Sequence, residues 1–243
     1  MAETLQSLED GFFKCITGKG VHEVVVECPD HKIPLEDLSN EQIERCFSVF
    51  RERILSLKQN PLIKFIQIFK NQGHAAGATF SHSHSQIIGL PHIPELPLQK
   101  IKSSQNHFQR TGNCLYCDLI KVERQQESRL VAENDSFIAF CPYAPRVPYE
   151  TWILPKDHQF AYERETSYKF FVRIYKEALF RIKAVLKSTS YNLILNTAPN
   201  SQQCNPYYHW HLEILPKITT TAGFEYATGI FINHTTPEAA AEN

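Results

Sequence analysis

The chain has 243 residues, with 25 Lys and Arg against 26 Asp and Glu, a balance that removes the electrostatic case for nucleic acid or an anionic membrane as a bulk partner. Hydrophobic residues make up 42%, enough for a packed core, and no apolar run reaches the ~20 residues of a membrane span. Met1–Asp10 lacks the basic start and apolar run of a signal peptide, so a cytoplasmic location is expected, where the seven Cys read as thiols or metal ligands.

Val24-Val25-Val26-Glu27 is a β-branched run stopped by Pro29, a strand followed by a turn. Ser39-Asn40-Glu41-Gln42 has the S-x-x-Q form of a capping box. Beyond it Ile43, Cys46, Phe47, Phe50, Ile54 and Leu57 recur at helical spacing and predict one apolar helix face. Phe65–Phe69 reads as the next strand, Asn71-Gln72-Gly73 as a turn and His82–Ile88 as another strand. A connector over about 96–130 carries Cys114 and Cys117. Thr151–Leu154 then predicts a strand, and Tyr168, Phe171, Tyr175, Leu179, Ile182 and Leu186 predict a long helix. Tyr191–Leu195 is a strand, Asn196–Pro206 a Pro-, Asn- and Ser-rich loop, and His209–Leu215 the closing strand.

The chain repeats itself. An offset of 127 carries Asp30-His31 onto Asp157-His158, His82 onto His209, His84 onto His211 and Gln86 onto Glu213. Two homologous halves follow, assigned to domains 1–95 and 96–243. Strand, helix, strand, strand in two copies predicts an α+β fold with antiparallel sheets related by a pseudo-twofold.

Alternation along a strand puts His82, His84 and Gln86 on one face and three serines on the other. Upstream, Asn71–Thr79 is a loop of small residues that lets a ligand approach the backbone and offers N–H groups to an anion. Two imidazoles and an amide beside such a loop suit phosphate chemistry: one His attacks phosphorus, the other is anchored, and the amide holds a phosphoryl oxygen. A pair of core or surface histidines is the plainer alternative; the loop, Gln86 and the repeat weigh against it.

In the second copy Glu213 replaces Gln86 and would repel a phosphate, which leaves that half a structural role. Cys114 and Cys117 form a C-x-x-C hook that His158 and His209 would complete as a Cys2His2 zinc site. A redox pair, without a thioredoxin-like βαβ context, and a metal-free pair are the alternatives. Cys15, Cys28, Cys46, Cys141 and Cys204 read as small buried hydrophobes. The offset puts any matching C-x-x-C before Met1, so the chain is expected to be truncated at its amino end, with His31 and His82 as two ligands of an incomplete site.

These residues resemble the galactose-1-phosphate uridylyltransferase family of the histidine-triad superfamily, from about Gly20 onward. The likeness rests on Phe69-Lys70-Asn71-Gln72-Gly73, Ala76-Gly77-Ala78, His82-Ser83-His84-Ser85-Gln86, the C-x-x-C, Ile153-Leu154-Pro155-Lys156-Asp157-His158, Tyr208-His209-Trp210 and Ala222-Gly223-Phe224-Glu225. H-S-H-S-Q and the centrally placed C-x-x-C look most like the plant-type ADP-glucose phosphorylase branch.

The resemblance implies a two-step transfer of a nucleoside monophosphate from a nucleotide sugar, ADP-glucose or UDP-glucose, to phosphate or a sugar 1-phosphate. His84 matches the nucleophile that carries the nucleotide, and Gln86 the residue that holds the transferred phosphate. Asn71, Gly77 and Thr79 match nucleotide and phosphate contacts, with Thr79 where the family usually has Ser. Phe224 and Glu225 match positions near the sugar and phosphate, in a site often completed across a homodimer. Cys114, Cys117, His158 and His209 match the second zinc site; His31 and His82 match the histidines of the first, without its cysteines. Lys156 and Arg146 read as charge partners or, more plainly, as solvated surface. The alternatives are a UDP-glucose:hexose-1-phosphate uridylyltransferase of galactose metabolism and a catalytically silent zinc-binding fragment. A hydrolase of the superfamily fits less well, because Gln86 stands at its third histidine position.

Overall fold

The structure, a computed structural model, describes residues 7–10, 12–187, 190–200 and 202–243; Met1–Gln6 of the expected amino half and Ser201 of the 196–206 loop lie outside them. A short antiparallel hairpin, β1 (Ser7–Asp10) and β2 (Phe13–Ile16), precedes β3 (Val21–Val26). Helix α1 (Asn40–Leu57) starts where the cap predicts it: Ser39 Oγ accepts from the Gln42 backbone N–H at 3.2 Å. The capping box is only half formed, because the Gln42 side chain turns away to donate to the Glu27 carbonyl at 2.8 Å. The expected apolar face, Ile43 to Leu57, is buried.

Strand β4 (Phe65–Gln72) runs through the expected turn at 71–72 and bends only at Gly73. Strand β5 covers His84–Leu90, so His82 precedes the strand instead of opening it. The connector is helical: α2 (Glu95–Thr111) and α3 (Leu115–Gln126) lead into β6 (Leu130–Glu133), β7 (Phe137–Phe140) and β8 (Thr151–Pro155). Helix α4 (Lys169–Leu186), β9 (Tyr191–Asn196) and β10 (His211–Pro216) repeat the plan of the first half, and α5 (Gly223–Thr228) and α6 (Pro237–Glu242) end the chain.

The two halves build one continuous eight-stranded sheet, in the order β3-β5-β4-β9-β10-β8-β7-β6. The run β3-β5-β4 mirrors β8-β10-β9 about the antiparallel β4–β9 pair, where Ile68 lies opposite Leu195. Helices α1 and α4 meet through Phe47, whose ring centroid is 4.7 Å from that of Phe171. Both pack on one core that takes Ile66, Ile68 and Ile87 from the first half and Leu193, Leu195, Trp210 and Leu212 from the second. Removal of that much apolar surface from water holds the halves together.

The other face of the sheet differs between halves. In the second half α3 covers it, with Tyr116 and Ile120 packed on Ile138, Phe140 and Leu154. In the first half Val24 and Val26 stay exposed beside β5. Four of the five scattered cysteines are buried as expected, and burial pushes the Cys46 and Cys141 thiols up to about 12. Cys15 is the exception and is exposed. None of the described helices is long and apolar enough to cross a membrane.

Candidate active site

The small-residue loop and the start of β5 enclose a cleft of about 360 Å³. Asn71, Gly73, Ala78, Thr79, His82 and His84 are among the residues that line it. His84 Nδ1 lies 2.8 Å from the His82 carbonyl oxygen. A carbonyl only accepts, so Nδ1 carries the proton and Nε2 keeps its lone pair. Nε2 makes no hydrogen bond among the described residues, which leaves it free for a ligand. Gln86 accepts at Oε1 from His22 Nε2, 2.9 Å away, and its NH2 group has no partner among the described residues.

The loop is held from the second half. Asn192 Nδ2 donates to Asn71 Oδ1 at 2.8 Å and to the Ala76 carbonyl at 2.9 Å. Gly77 sits at φ +84°, a left-handed conformation that glycine adopts without strain. Gly73 turns the chain at φ +79°, where an added Cβ would lie 2.3 Å from Ser190 Oγ. Gly73→Ala should therefore cost about 2 kcal/mol, read as a lower urea midpoint; an unchanged midpoint would show that this turn does not set the loop.

His211, at the His84 position of the second copy, keeps the same bond, Nδ1 to the His209 carbonyl at 3.0 Å, but no cleft. Its Nε2 faces Glu213 Oε1 at 3.2 Å, and both side chains are buried. Lys100 of α2 and Arg146 also clamp Glu213, the latter at 2.6 Å. Burial works against the Glu213 charge, yet His211, Lys100 and Arg146 outweigh it and hold the carboxyl far below its usual range. The site is thus filled by its own ion pairs, a stronger exclusion than the repulsion expected from Glu213 alone. Arg146 corrects the surface reading: Glu150 and Glu213 enclose its guanidinium because Glu213 is buried and needs a cation. Lys156 reaches Glu133 at 2.9 Å.

The four expected metal ligands converge. One donor atom each from Cys114, Cys117, His158 and His209 lies within 4.8 Å of all the others. Cys117 Sγ is 3.4 Å from His158 Nδ1 and 3.6 Å from His209 Nδ1. A zinc tetrahedron with ordinary Zn–S and Zn–N bonds has S···N edges of about 3.6 Å. The outer ring nitrogens bind carbonyls, His158 Nε2 to Asn205 at 2.7 Å and His209 Nε2 to Pro155 at 3.0 Å, so both Nδ1 lone pairs point inward. The Cys117 thiol donates to Cys114 and holds it on the thiolate side against burial. The donor set and its spacing fit zinc.

The first-half histidines do not make such a set. His31 and His82 stand with ring centroids 4.2 Å apart, and His82 Nε2 bonds the Cys28 carbonyl at 2.6 Å, but no further His, Cys, Asp or Glu joins them among the described residues. Phe224 and Glu225 do not line the cleft of their own chain; Phe224 is 48% exposed. The sequence reading also passed over Glu27 and Lys70, which form a buried ion pair under the cleft. Its only local signal is the serine face of the His84 strand, opposite the histidines.

Comparison with known proteins agrees with this geometry. Residues 2–94 match the family described as galactose-1-phosphate uridyl transferase, N-terminal domain. The chain is 34% identical to ADP-glucose phosphorylase of Arabidopsis thaliana over 96% of its own length and 66% of that protein. It is 31% identical to galactose-1-phosphate uridylyltransferase of Thermotoga maritima, over 96% of this chain and 76% of the relative. The Arabidopsis ADP-glucose phosphorylase structure with bound ADP-glucose superposes with a TM-score of 0.87 at 33% identity, covering 94% of this chain and 74% of that one. A uridylyltransferase structure superposes at 0.90 with 27% identity, over all of this chain and 80% of the other. The chain thus spans about two thirds to three quarters of the length of these two curated relatives. With the cleft, the repeated histidine strands and the metal-ligand cluster in place, the chain belongs to the galactose-1-phosphate uridylyltransferase family.

Proposed function

We propose that the chain transfers a nucleoside monophosphate from a nucleotide sugar, ADP-glucose or UDP-glucose, to phosphate or a sugar 1-phosphate through a covalent bond to His84. The observation that carries this reading is the His84 ring: Nδ1–H anchored on the His82 carbonyl, Nε2 unpartnered at a cleft. Nε2 attacks the α-phosphorus, the Nε2–P bond forms, and the P–O bond to the sugar 1-phosphate breaks. The imidazole becomes cationic, and the His82 carbonyl stabilises its Nδ1–H. An acceptor oxygen of phosphate then attacks the same phosphorus, the Nε2–P bond breaks, and a nucleoside diphosphate leaves. Neither step needs a proton removed from a neutral nucleophile, so no separate general base is required. The Gln86 NH2 group and the N–H groups of the Asn71–Thr79 loop suit the phosphoryl oxygens.

Zinc held by Cys114, Cys117, His158 and His209 would serve as a structural cross-link. Phe224 and Glu225 would complete the sugar end from the partner of a cytoplasmic homodimer. Support for the dimer comes from Phe224, Tyr226, Ile230, Phe231 and Ile232, five exposed large apolar side chains within nine residues of chain.

Intact-protein mass after incubation with each donor, with no acceptor and at neutral pH, tests the reading. A gain of one nucleoside monophosphate, discharged by phosphate with release of the diphosphate, is expected; the donor that labels the protein names the base. Folded, zinc-loaded protein that gains no mass with either donor would leave the silent zinc-protein reading in its place.

A further inference from the structure

Beneath the His84 strand lies an ion pair that the two chemical steps do not use. Lys70 Nζ is 2.7 Å from Glu27 Oε2, and the side chains are 1% and 0% exposed. Burying two charges is expensive, and a well-packed apolar pair holds a fold as well or better. At the offset of 127 the second half has Leu154 for Glu27 and Thr197 for Lys70, and Ser83 and Ser85, which bind the pair, become the core residues Trp210 and Leu212. The half with the open cleft keeps the charges, and the half with the filled site does without them.

Lys70 spends all three ammonium donors on protein: Glu27 at 2.7 Å, Ser83 Oγ at 3.0 Å and the His84 carbonyl at 3.1 Å. It has none left for a phosphate, although it borders the cleft. Glu27 accepts from Ser83 Oγ and, at 2.6 Å, from Ser85 Oγ. Its backbone N–H donates to the Ser83 carbonyl at 3.2 Å, and its carbonyl is tied to α1 through Gln42. Every hydroxyl of the 83–85 segment, and the carbonyls of His82, Ser83 and His84, are therefore held.

We infer that Lys70 and Glu27 are positioning residues for His84: they lock the peptide that carries the imidazole, so that Nε2 stays in line with the phosphorus. This rests on the reading of His84 as nucleophile. The test compares wild type, the charge-neutral double variant Glu27→Gln/Lys70→Met, and the milder Ser85→Ala. Adduct formation is followed by intact mass against time, with whichever of ADP-glucose or UDP-glucose labels the wild type, beside donor KM and thermal unfolding. The double variant leaves no unpaired charge and should fold. Its adduct rate should fall about 10- to 100-fold at saturating donor while KM moves less than about threefold, because misplacement of a reacting atom acts on the chemical step. Ser85→Ala, which removes one hydroxyl from the lock, should slow the adduct by about threefold or more with KM unchanged. A folded double variant, or a Ser85→Ala protein should the double variant not fold, that forms adduct at the wild-type rate overturns the inference and leaves the His84 reading intact. A wild type that forms no adduct overturns both.

Discussion

His84→Asn should lower nucleotidyl transfer by at least about 1,000-fold, as loss of a covalent nucleophile does in other enzymes. The asparagine NH2 group stands where the Nδ1–H of the ring donates to the His82 carbonyl, so the strand keeps its local bond. What is lost is Nε2, the atom that faces the cleft with a free lone pair. Lys70 bonds the backbone carbonyl of residue 84, not its side chain, and is unaffected by the change. The variant should thus unfold at the wild-type temperature and show no mass gain with a donor that labels the wild type. Turnover above about a tenth of wild type would mean that phosphorus is attacked directly by the acceptor, with no carrier on the protein.

Removing the metal should have the second-largest effect, on stability. Cys114 and Cys117 lie at the start of α3, His158 just after β8 and His209 just before β10. A bound ion would tie the connector helices to two loops at one end of the second-half sheet. Without it four donor atoms converge, partly out of water, with only weak partners: each other and, for Cys114 Sγ, the Tyr207 carbonyl at 3.5 Å. Cys117→Ser, or treatment with a strong chelator, should cost about 4 kcal/mol or more. For a protein of this size that is a fall in Tm of about 10 °C. Metal analysis should find one zinc per protomer in the wild type and little in the variant. A protein that carries no metal before treatment and whose Tm a chelator leaves unchanged would overturn zinc and leave the redox and metal-free readings of the C-x-x-C.

The filled second site bears on how the repeat divided its work. Both copies set the histidine Nδ1 against a backbone carbonyl, His84 on His82 and His211 on His209. On the histidine face of the strand the copies differ at Gln86 and Glu213. A neutral amide can bind phosphoryl oxygens, whereas a buried carboxylate gathers Lys100 and Arg146 and closes the space. The second half also supports the first: Asn192 pins its loop through Asn71 and the Ala76 carbonyl.

The local sequence determined much of this molecule. Helix α1 followed from Ser39 and its apolar spacing, because a cap and a 3.6-residue period are properties of neighbouring residues. The repeat and the grouping of Cys114, Cys117, His158 and His209 followed from a constant offset and a chelate spacing, both present in the linear order of residues. The connector helices were missed for a physical reason: α2 buries little but Ile101 and Ser104, so it carries a weak apolar signal. That the second histidine strand is unsuited to phosphate was legible in Glu213; how that site is filled was decided only by tertiary structure. Lys100 meets Glu213 across 113 residues, Arg146 meets it across 67, and Lys70 meets Glu27 across 43. No local period links such residues; they are neighbours only because the sheet brings the strands side by side and burial then requires every charge to find a partner.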